Sequence, residues 1–557
     1  MFRARWEKVS LLGGAILLGA LVGTGSAAEL KKIKKPGEPA AFPKVTGNSA
    51  PNALATGLAE SPAAQGSQPL ENGTADIPYY GYHGDGPMVP APGDVQAPGH
   101  NVEATKSEPD KNTYLVLNHQ HGSDPNYDYG HHFLYQGHEL GIGYITRINL
   151  DADHEHRVTL FATTDNLGNP LPTIDGSTWD PWAQRLLFTS EEGADGGVFQ
   201  STLDFPPTVE DVSGIFGRAG YEGIQNDSDG NLWIAEDTSG AKGTVNDHAR
   251  QPNSFIFRFL PTNKTDLKQG GRLQALQVLS LANPGQPIIF HAGQADADIL
   301  SQDVKDLHTY GKQFQTQWVT VHDTAVDGTT PFDANALAKA KLATPFKRPE
   351  NAQFRPGQQF KEFFFDATGD TDAATQAGSQ YGGFGAIFKL TQAGGPSANS
   401  GVLTLFYRGD IDHTALDNVA FWDKDRVLFV EDRGDGLHTA HNAYDSAWMF
   451  DVRTDYANPN NQPFRTIALG RDSAATIDSA LSEGASGNGF QNEGDNEITG
   501  LHISNGDATE KGILGAQEPN PFQSGWRIFY TQQHGDNVTW EILPAALTAH
   551  MGPSDQN

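Results

Sequence analysis

The 557-residue chain has no cysteine, and its 38 lysines and arginines are outnumbered by 68 aspartates and glutamates, which gives a formal net charge of −30. The absence of cysteine excludes disulfides as a source of stability and thiolates as metal ligands. A strongly acidic protein is repelled by nucleic acid and by anionic membranes, so we expect neither as a partner. Stability must therefore come from a large core or from bound cations.

Long apolar runs are also scarce. The run "LLGGAILLGALVG" at residues 11–23 is short for a membrane span, follows basic residues and precedes the small residues Ser26 and Ala28. This order predicts a secretory signal peptide at residues 1–28, and hence a periplasmic or secreted protein without a membrane association after cleavage. A retained membrane anchor is the alternative interpretation.

Glycine and proline are abundant, with 62 and 33 residues, while only 19% of the chain is charged. This composition favours an all-β protein rich in turns. Residues 29–105 are rich in proline, alanine and glycine and show no sustained hydrophobic period, so they are predicted to be a largely disordered lead-in. Residues 106–557 are then the folded domain.

Six segments of the folded domain share one pattern. Each has about four β-branched, aromatic or leucine residues, then a small or polar residue, then acids, amides or histidine, and then glycine. The segments are 114–124, 185–197, 231–240, 362–372, 426–436 and 527–537. A strand that is apolar on both faces must be covered on both sides, and all six strands deliver polar residues to one end.

A radial stack of six sheets satisfies both requirements. We therefore predict a six-bladed β-propeller with long irregular loop insertions, one of which carries a short helix within residues 331–346. The spacing of the segments is too irregular for a WD40-type array. A β-sandwich with long insertions is the alternative architecture.

In a hairpin, the start of the first strand and the end of the second lie together, so every repeat brings polar side chains to a common rim. So many carboxylates in one funnel require cations, and oxygen ligands suit Ca²⁺, Mg²⁺ or Mn²⁺. Acids at strand ends can instead be solvated turn residues. The predicted rim residues are Asn118, His119, Glu191, Glu192, Glu222, Glu236, Asp237, Glu350, Asp366, Asn418, Glu431, Asp432, Glu497 and His534.

One basic residue stands close to these acids. Arg348 lies two positions before Glu350, so a strand would place both side chains on one face. Its guanidinium could bind phosphate oxygens, or it could form a salt bridge between neighbouring blades.

An ordered set of motifs within residues 112–540 resembles the PhoX-type alkaline phosphatases. The motifs are "LNHQ", "LLFTSEEGADGG", "GRAGYEG", "LWIAED", "FKRPEN", "DNVAFW", "EITG" and "QQHGDN". The resemblance implies an exported six-bladed propeller that hydrolyses phosphate monoesters at a site of calcium and oxo-bridged ferric iron. It also implies catalytic roles for Arg348, which would hold phosphate, and Glu222, and metal binding by Glu192, Glu222, Asp237, Glu350 and Glu497.

The chain departs from that family at the end of one strand. Ser190 stands before Glu191 and Glu192 where the family has a cysteine that binds iron. A serine hydroxyl is a far poorer iron ligand than a thiolate, so a calcium-dominated site is favoured over one that holds Fe³⁺. Ser190 is nevertheless included among the predicted metal-site residues.

The sequence thus predicts an exported, monomeric, metal-dependent phosphoesterase that acts on a small phosphorylated substrate. One alternative is a catalytically silent propeller that is stabilised by calcium and serves as a binding module. Another is a lactonase-like propeller hydrolase.

Overall fold

The computed structural model describes residues 52–66, 68–83, 105–470, 497–533 and 537–545. The predicted signal peptide and His534 lie outside these residues. Within the described residues, no helix is long and apolar enough to cross a membrane.

Four short strands precede the main body of the fold. They are β1 (Ala53–Leu54), β2 (Leu58–Ala64), β3 (Tyr82–His83) and β4 (Thr105–Lys106). β1 pairs with the strand Phe464–Ala468, and β2 pairs with the strand Val538–Pro544 near the end of the chain. The described part of residues 29–105 thus completes the edges of two sheets, and the prediction of a largely disordered lead-in did not include these strands.

Two four-stranded antiparallel sheets follow. The first contains β5 (Thr113–Val116), β6 (His132–His138), β7 (Tyr144–Asn149) and β8 (Val158–Ala162). The second contains β9 (Ser177–Asp180), β10 (Arg185–Ser190), β11 (Gly197–Ser201) and β12 (Val209–Asp211). In each sheet, consecutive strands are neighbours.

The next sheet has nine strands and consists of two four-stranded halves joined by one long strand. The first half contains β13 (Tyr221–Asn226), β14 (Leu232–Glu236), β15 (Ile256–Pro261) and β16 (Gly271–Val278). The joining strand is β17 (Gln313–Asp323), which pairs with both halves. The second half contains β18 (Ala352–Phe354), β19 (Glu362–Ala367), β20 (Ala386–Gln392) and β21 (Ser400–Arg408).

The last two large sheets each recruit a strand from the beginning of the chain. One combines β1 with β22 (Leu416–Phe421), β23 (Arg426–Glu431), β24 (Ser446–Asp451) and β25 (Phe464–Ala468). The other combines β2 with β26 (Ile498–Ser504), β27 (Arg527–Gln532) and β28 (Val538–Pro544). The N-terminal segment thereby ties the two ends of the folded chain together.

Among the described residues, helices are short and lie in the connections. The α-helices are Ser213–Phe216, Ala295–Ile299, Gln302–Leu307, Thr324–Asp327, Ala334–Ala340 and Gly434–His441. The 3₁₀ turns are Leu267–Gln269, Ser379–Tyr381 and Glu510–Gly512. The short helix predicted within residues 331–346 is confirmed, and the carboxylate of Asp333 caps it by accepting a hydrogen bond from the amide of Ala336 at 2.8 Å.

Apolar side chains fill the space between successive sheets, and β10, β14 and β19 are buried on both faces, as predicted. Trp233, for example, packs its ring 4.6 Å from that of Phe363 across the two halves of the nine-stranded sheet. Tyr114 of the first sheet packs against Phe529 of the last, with ring centroids 5.4 Å apart. The sheets therefore follow one another in a propeller-like arrangement.

The strand at one edge of each sheet or half sheet, here called the inner strand, contacts its counterpart in the next. These contacts join β5 to β9, β9 to β13, β13 to β18, β18 to β22, β22 to β26, and β26 back to β5. The all-β class and the propeller-like arrangement are confirmed. The number of blades remains a prediction, because one sheet contains nine strands.

Candidate metal centre

Each candidate side chain lies where an inner strand begins or its neighbour ends. Antiparallel pairing aligns Ser177 with Phe188, which brings Asp175, just before β9, to the same end as Glu191, just after β10. Glu222 and Asp417 lie at the starts of β13 and β22, and Glu350 lies two residues before β18. In these four hairpins, the start of the inner strand and the end of its neighbour thus lie together, as the hairpin rule requires.

Bulges turn two of these side chains. The pairing register shifts between Tyr221 and Ile224 in β13, and again between Leu416 and Val419 in β22. Each shift inserts one extra residue beside Glu222 or Asp417, and such bulges re-aim side chains next to functional sites. The local irregularity therefore explains how carboxylates from different strands converge.

Gly223 makes the close approach possible. Its amide donates to the carbonyl oxygen of Glu350 at 2.9 Å. A Cβ atom at this position would lie 2.7 Å from that same oxygen. Only glycine lets the neighbouring inner strands come this near, and so brings Glu222 close to Glu350.

The carboxylates form three groups, and within each group one oxygen per residue lies within 4.8 Å of the others. Because the groups share Asp175 and Glu222, they form one continuous series, here called the carboxylate chain. The groups are Asp110, Glu139 and Asp175; Asp175, Glu191 and Glu222; and Glu222, Glu350 and Asp417. The third group is buried, whereas Glu191 in the second is exposed.

Burial and charge repulsion strongly shift the pKa values of the carboxylate chain. Burial, followed by the carboxylates of Asp175 and Asp417, raises the pKa of Glu222 well above its usual range. Burial and the carboxylate of Asp110 raise the pKa of Asp417 to about 7, although a hydrogen bond from Asn418 opposes the change. In the absence of cations, burial and mutual repulsion therefore favour the protonated forms of these carboxyl groups.

Among the described residues, one oxygen of the carboxylate chain has no hydrogen-bond partner in the protein. Asp175 is 3% exposed, and its Oδ1 atom is buried without a hydrogen bond. A buried acceptor without a partner is costly unless water or an ion satisfies it. The donor set consists of oxygens alone, so the residues present fit a hard cation such as Ca²⁺.

Arg348 borders the carboxylate chain. Its Nε atom donates to Asp237 at 2.9 Å, its Nη2 atom donates to Glu350 at 2.8 Å, and Asp432 lies 3.7 Å from Nη2. Burial alone would lower the pKa of Arg348, but these carboxylates raise it well above its ordinary value. The guanidinium therefore stays charged, and it links strand ends from three parts of the ring.

Glu192 and Ser190 lie at the end of β10. Glu192 accepts a hydrogen bond from the Thr173 hydroxyl at 2.7 Å and lines an open cleft of about 310 Å³, together with Glu108, Glu139, Asp175 and Glu191. Ser190 is fully buried, and its hydroxyl oxygen lies 3.5 Å from the Glu192 amide that donates to it. Their roles as metal ligands stay predictions.

Glu236, which was predicted at the rim, and Glu431, which was predicted as a metal ligand, both accept hydrogen bonds from neighbouring segments of the fold. The Glu236 carboxylate accepts from the amide of Phe255 at 2.9 Å and from Asn335 at 2.8 Å, and burial raises its pKa to about 8. The Glu431 carboxylate accepts from Arg433 at 2.7 Å and from the amide of Ser446 at 2.9 Å. Among the described residues, neither belongs to the three carboxylate groups.

The prediction that Asn118 and His119 reach the rim is wrong. β5 is an inner strand, and its Val116 end pairs with His132 while its Thr113 end pairs with Tyr135. Asn118 and His119 follow β5 and are therefore exposed at the opposite end of the sheet. The first sheet contributes Asp110 and Glu139 to the rim instead.

Glu497 lies directly before β26, at the same end as the other candidates, and its carbonyl oxygen accepts from the amide of Gln533 at 2.9 Å. Its carboxylate is not among the three groups found in the described residues, and its role as a ligand stays a prediction.

Sequence reasoning missed Asp110, Glu139, Asp175 and Asp417. A signal was available for three of them, because each lies next to the start of an inner strand, in "PDKNTYL", "TIDGSTW" and "LDNVAF". In the third stretch the hairpin rule selects Asn418 instead of its neighbour Asp417, and it was not applied to the first two stretches.

No known protein family matches the sequence, and no curated protein sequence matches it either. Among solved structures, Pseudomonas fluorescens PhoX in complex with vanadate, a transition state analogue, matches with a TM-score of 0.52 and 12% sequence identity, over 92% of this chain and 98% of that chain. TolB from Acinetobacter baumannii matches with a TM-score of 0.29 and 10% identity, over 78% of this chain and 63% of that chain. The α-L-arabinofuranosidase PaAbf62A from Podospora anserina matches with a TM-score of 0.27 and 8% identity, over 82% and 94%. The last two scores are too low to bear on this protein, whereas the first indicates a PhoX-like propeller fold.

Proposed function

We propose that this protein is an exported, metal-dependent phosphoesterase that hydrolyses phosphate monoesters at the carboxylate chain. The observation that carries the proposal is the position of Arg348, a charged guanidinium at the margin of three linked carboxylate groups. The fold is similar to that of PhoX, which binds vanadate, a transition state analogue, in its solved structure. Cations beside a guanidinium suit phosphoryl transfer.

The cations would be held by Glu222, Glu350 and Asp417 at the buried end of the chain, and by Asp110, Glu139 and Asp175 at the other. When bound, they would neutralise the carboxylates and polarise a phosphoryl oxygen. Calcium is favoured, because every donor is an oxygen and Ser190 supplies no thiolate.

Arg348 would bind the phosphate through Nη1. Asp237 and Glu350 use Nε and Nη2, whereas within the described part of the chain Nη1 makes only a 3.4 Å contact with the Thr371 hydroxyl. The two carboxylates would therefore orient the planar fork toward the substrate while the guanidinium neutralises charge on the transferred group.

The test uses the purified full chain and a chromogenic phosphomonoester, first stripped with chelator and then supplied with calcium, iron or both. We expect turnover that depends on added metal and is inhibited by vanadate. Glu222→Gln and Arg348→Met should each lower kcat/KM by at least about 100-fold, an effect typical of a lost charge-stabilising group. Two separate substitutions at exposed positions, Glu518→Gln and Arg453→Met, serve as the controls. Lack of turnover in a protein that binds both metals would reject the proposal.

A second candidate function is a silent, calcium-stabilised binding module. It is favoured by the engagement of Arg348 with Asp237 and Glu350, which is what a salt bridge between blades requires. In that case calcium would raise the melting temperature, but neither turnover nor vanadate binding would be measured.

We also propose six blades, with each half of the nine-stranded sheet counted as one and β17 as a connector. The ring of contacts among β5, β9, β13, β18, β22 and β26 supports this count. Export to the periplasm or medium and a monomeric state complete the proposal. Fractionation of expressing cells and light scattering of the purified protein test these two statements.

A further inference from the structure

A buried lysine lies beneath the carboxylate chain. Lys111 is 6% exposed, and its Nζ atom donates to Oδ1 of Asn351 at 2.7 Å and to Oδ1 of Asn418 at 2.9 Å. Asn351 directly follows Glu350, and Asn418 directly follows Asp417. One ammonium therefore binds two amides that neighbour candidate ligands on two different inner strands.

These contacts fix which way both amides face. A lysine ammonium has three donors and no acceptor, so only the amide oxygens can be turned toward it. The amide nitrogens then point to carboxylates: Nδ2 of Asn351 donates to Glu222 Oε1 at 2.6 Å, and Nδ2 of Asn418 donates to Asp417 Oδ1 at 2.7 Å. A flipped amide would instead present oxygen to a carboxylate, which is repulsive.

The same hydrogen-bond network reaches the other end of the carboxylate chain. Asn418 also donates to the Thr499 hydroxyl at 3.1 Å, and that hydroxyl donates to the Asp110 carboxylate. Asp110, Glu222 and Asp417 belong to three different inner strand regions and are all buried. Lys111 is thus connected, through one amide or through an amide and a hydroxyl, to each of the three carboxylate groups.

We propose that Lys111 is a positioning residue that orients Glu222 and Asp417 for cation binding through Asn351 and Asn418. This inference rests on the proposed binding of cations at the carboxylate chain, but it does not require phosphoesterase activity. Partners that orient ligands in this way typically change metal affinity by 10- to 100-fold.

The proposal and simple electrostatics predict opposite changes in cation affinity when Lys111 is removed. If Lys111 acted only as a nearby positive charge, its removal would strengthen the binding of cations to the carboxylates. If it acts by orienting the amides, its removal weakens binding, since the amides are released and the carboxylates lose their fixed geometry.

Metal affinity of the chelator-stripped full chain decides between the two. Calcium calorimetry and terbium luminescence are measured for the wild type, Lys111→Met, Lys111→Arg, Asn351→Leu and the Lys111→Met, Asn351→Leu double variant. We expect Lys111→Met to weaken binding at least about tenfold, Lys111→Arg to restore most of it, and the losses of the two single variants not to add in the double variant. The exposed Lys424→Met serves as the control and should bind as the wild type does.

Stronger or unchanged binding by Lys111→Met would overturn the proposal, as would a wild type that binds neither ion. If Lys111→Met does not fold, as judged by circular dichroism, full affinity in Asn351→Leu would overturn it. Normal calcium affinities without any phosphoesterase turnover would instead count against the proposed function alone.

Discussion

The Arg348→Ala substitution tests whether cations and the guanidinium neutralise the same carboxylates. Arg348 is 19% exposed at its side chain and pairs with Asp237 at 2.9 Å and with Glu350 at 2.8 Å. In the absence of cations, its removal leaves two largely buried carboxylates without a partner. Breaking a buried pair in this way costs about 3 to 5 kcal/mol.

The number of folded residues determines how far this free-energy cost lowers the melting temperature. An unfolding entropy of about 2.1 cal/mol/K per residue over about 450 residues amounts to about 1 kcal/mol/K, so the expected loss is about 3 to 5 °C in chelator. Protonation of Glu350, whose pKa burial already raises, would keep the loss at the lower end of that range. With saturating calcium, an ion held by Glu350 would neutralise that carboxylate, whereas Asp237 lies outside the three carboxylate groups, so the loss should fall by roughly half.

Differential scanning calorimetry of the wild type and Arg348→Ala, in chelator and in calcium, measures the four values. Arg355→Ala is the matched control, because Arg355 is 16% exposed and bridges Glu362 at 2.8 Å and Asp425 at 3.0 Å away from the rim. Its loss should be similar in both buffers. An equal loss for Arg348→Ala in chelator and calcium would refute the reasoning and leave Arg348 as a structural salt bridge.

Three further perturbations test other parts of the molecule. Removal of residues 1–66 should lower the melting temperature and promote aggregation relative to removal of residues 1–51, because it exposes the edge of β28 that β2 covers, which gel filtration would detect. Gly223→Ala should weaken calcium binding in calorimetry, since the new Cβ would meet the Glu350 carbonyl oxygen at 2.7 Å. Burial lowers the pKa of His308 to about 4. The unfolded chain then takes up the proton first, so stability present above about pH 6.5 is lost toward pH 4, by up to about 3 kcal/mol. Denaturant titrations should show a shallower acid decline in His308→Gln, and equal declines would contradict this explanation.

The repeated strands could be predicted because burial on both faces leaves a plain signal. Five of the six predicted segments contain the second strand of a sheet or half sheet, counted from the inner strand, as the pattern required. The segment at residues 114–124 was misassigned because β5, an inner strand, is equally apolar. Only its pairing with β6 shows that Asp110, and not His119, lies at the rim.

The position of the N-terminal segment could not be predicted from its composition. Leu58–Ala64 contains two acidic or polar residues and a proline, with no alternation that marks a strand. Its strand conformation arises from the edge of β28, which supplies hydrogen-bonding partners from the far end of the chain. Contacts of such large sequence separation leave little trace in a local pattern.

The strand ends themselves explain why adjacent acids differ in role. Glu236 and Glu431 are the last residues of β14 and β23, and each accepts an amide hydrogen at or just before the start of the following strand. The next residues, Asp237 and Asp432, face Arg348 instead. Alternation along a strand sends consecutive side chains in opposite directions, so an "ED" pair divides between fold and site. Ser190 is likewise the last residue of β10, so its position corresponds to those of Glu236 and Glu431. The next residue, Glu191, belongs to the second carboxylate group.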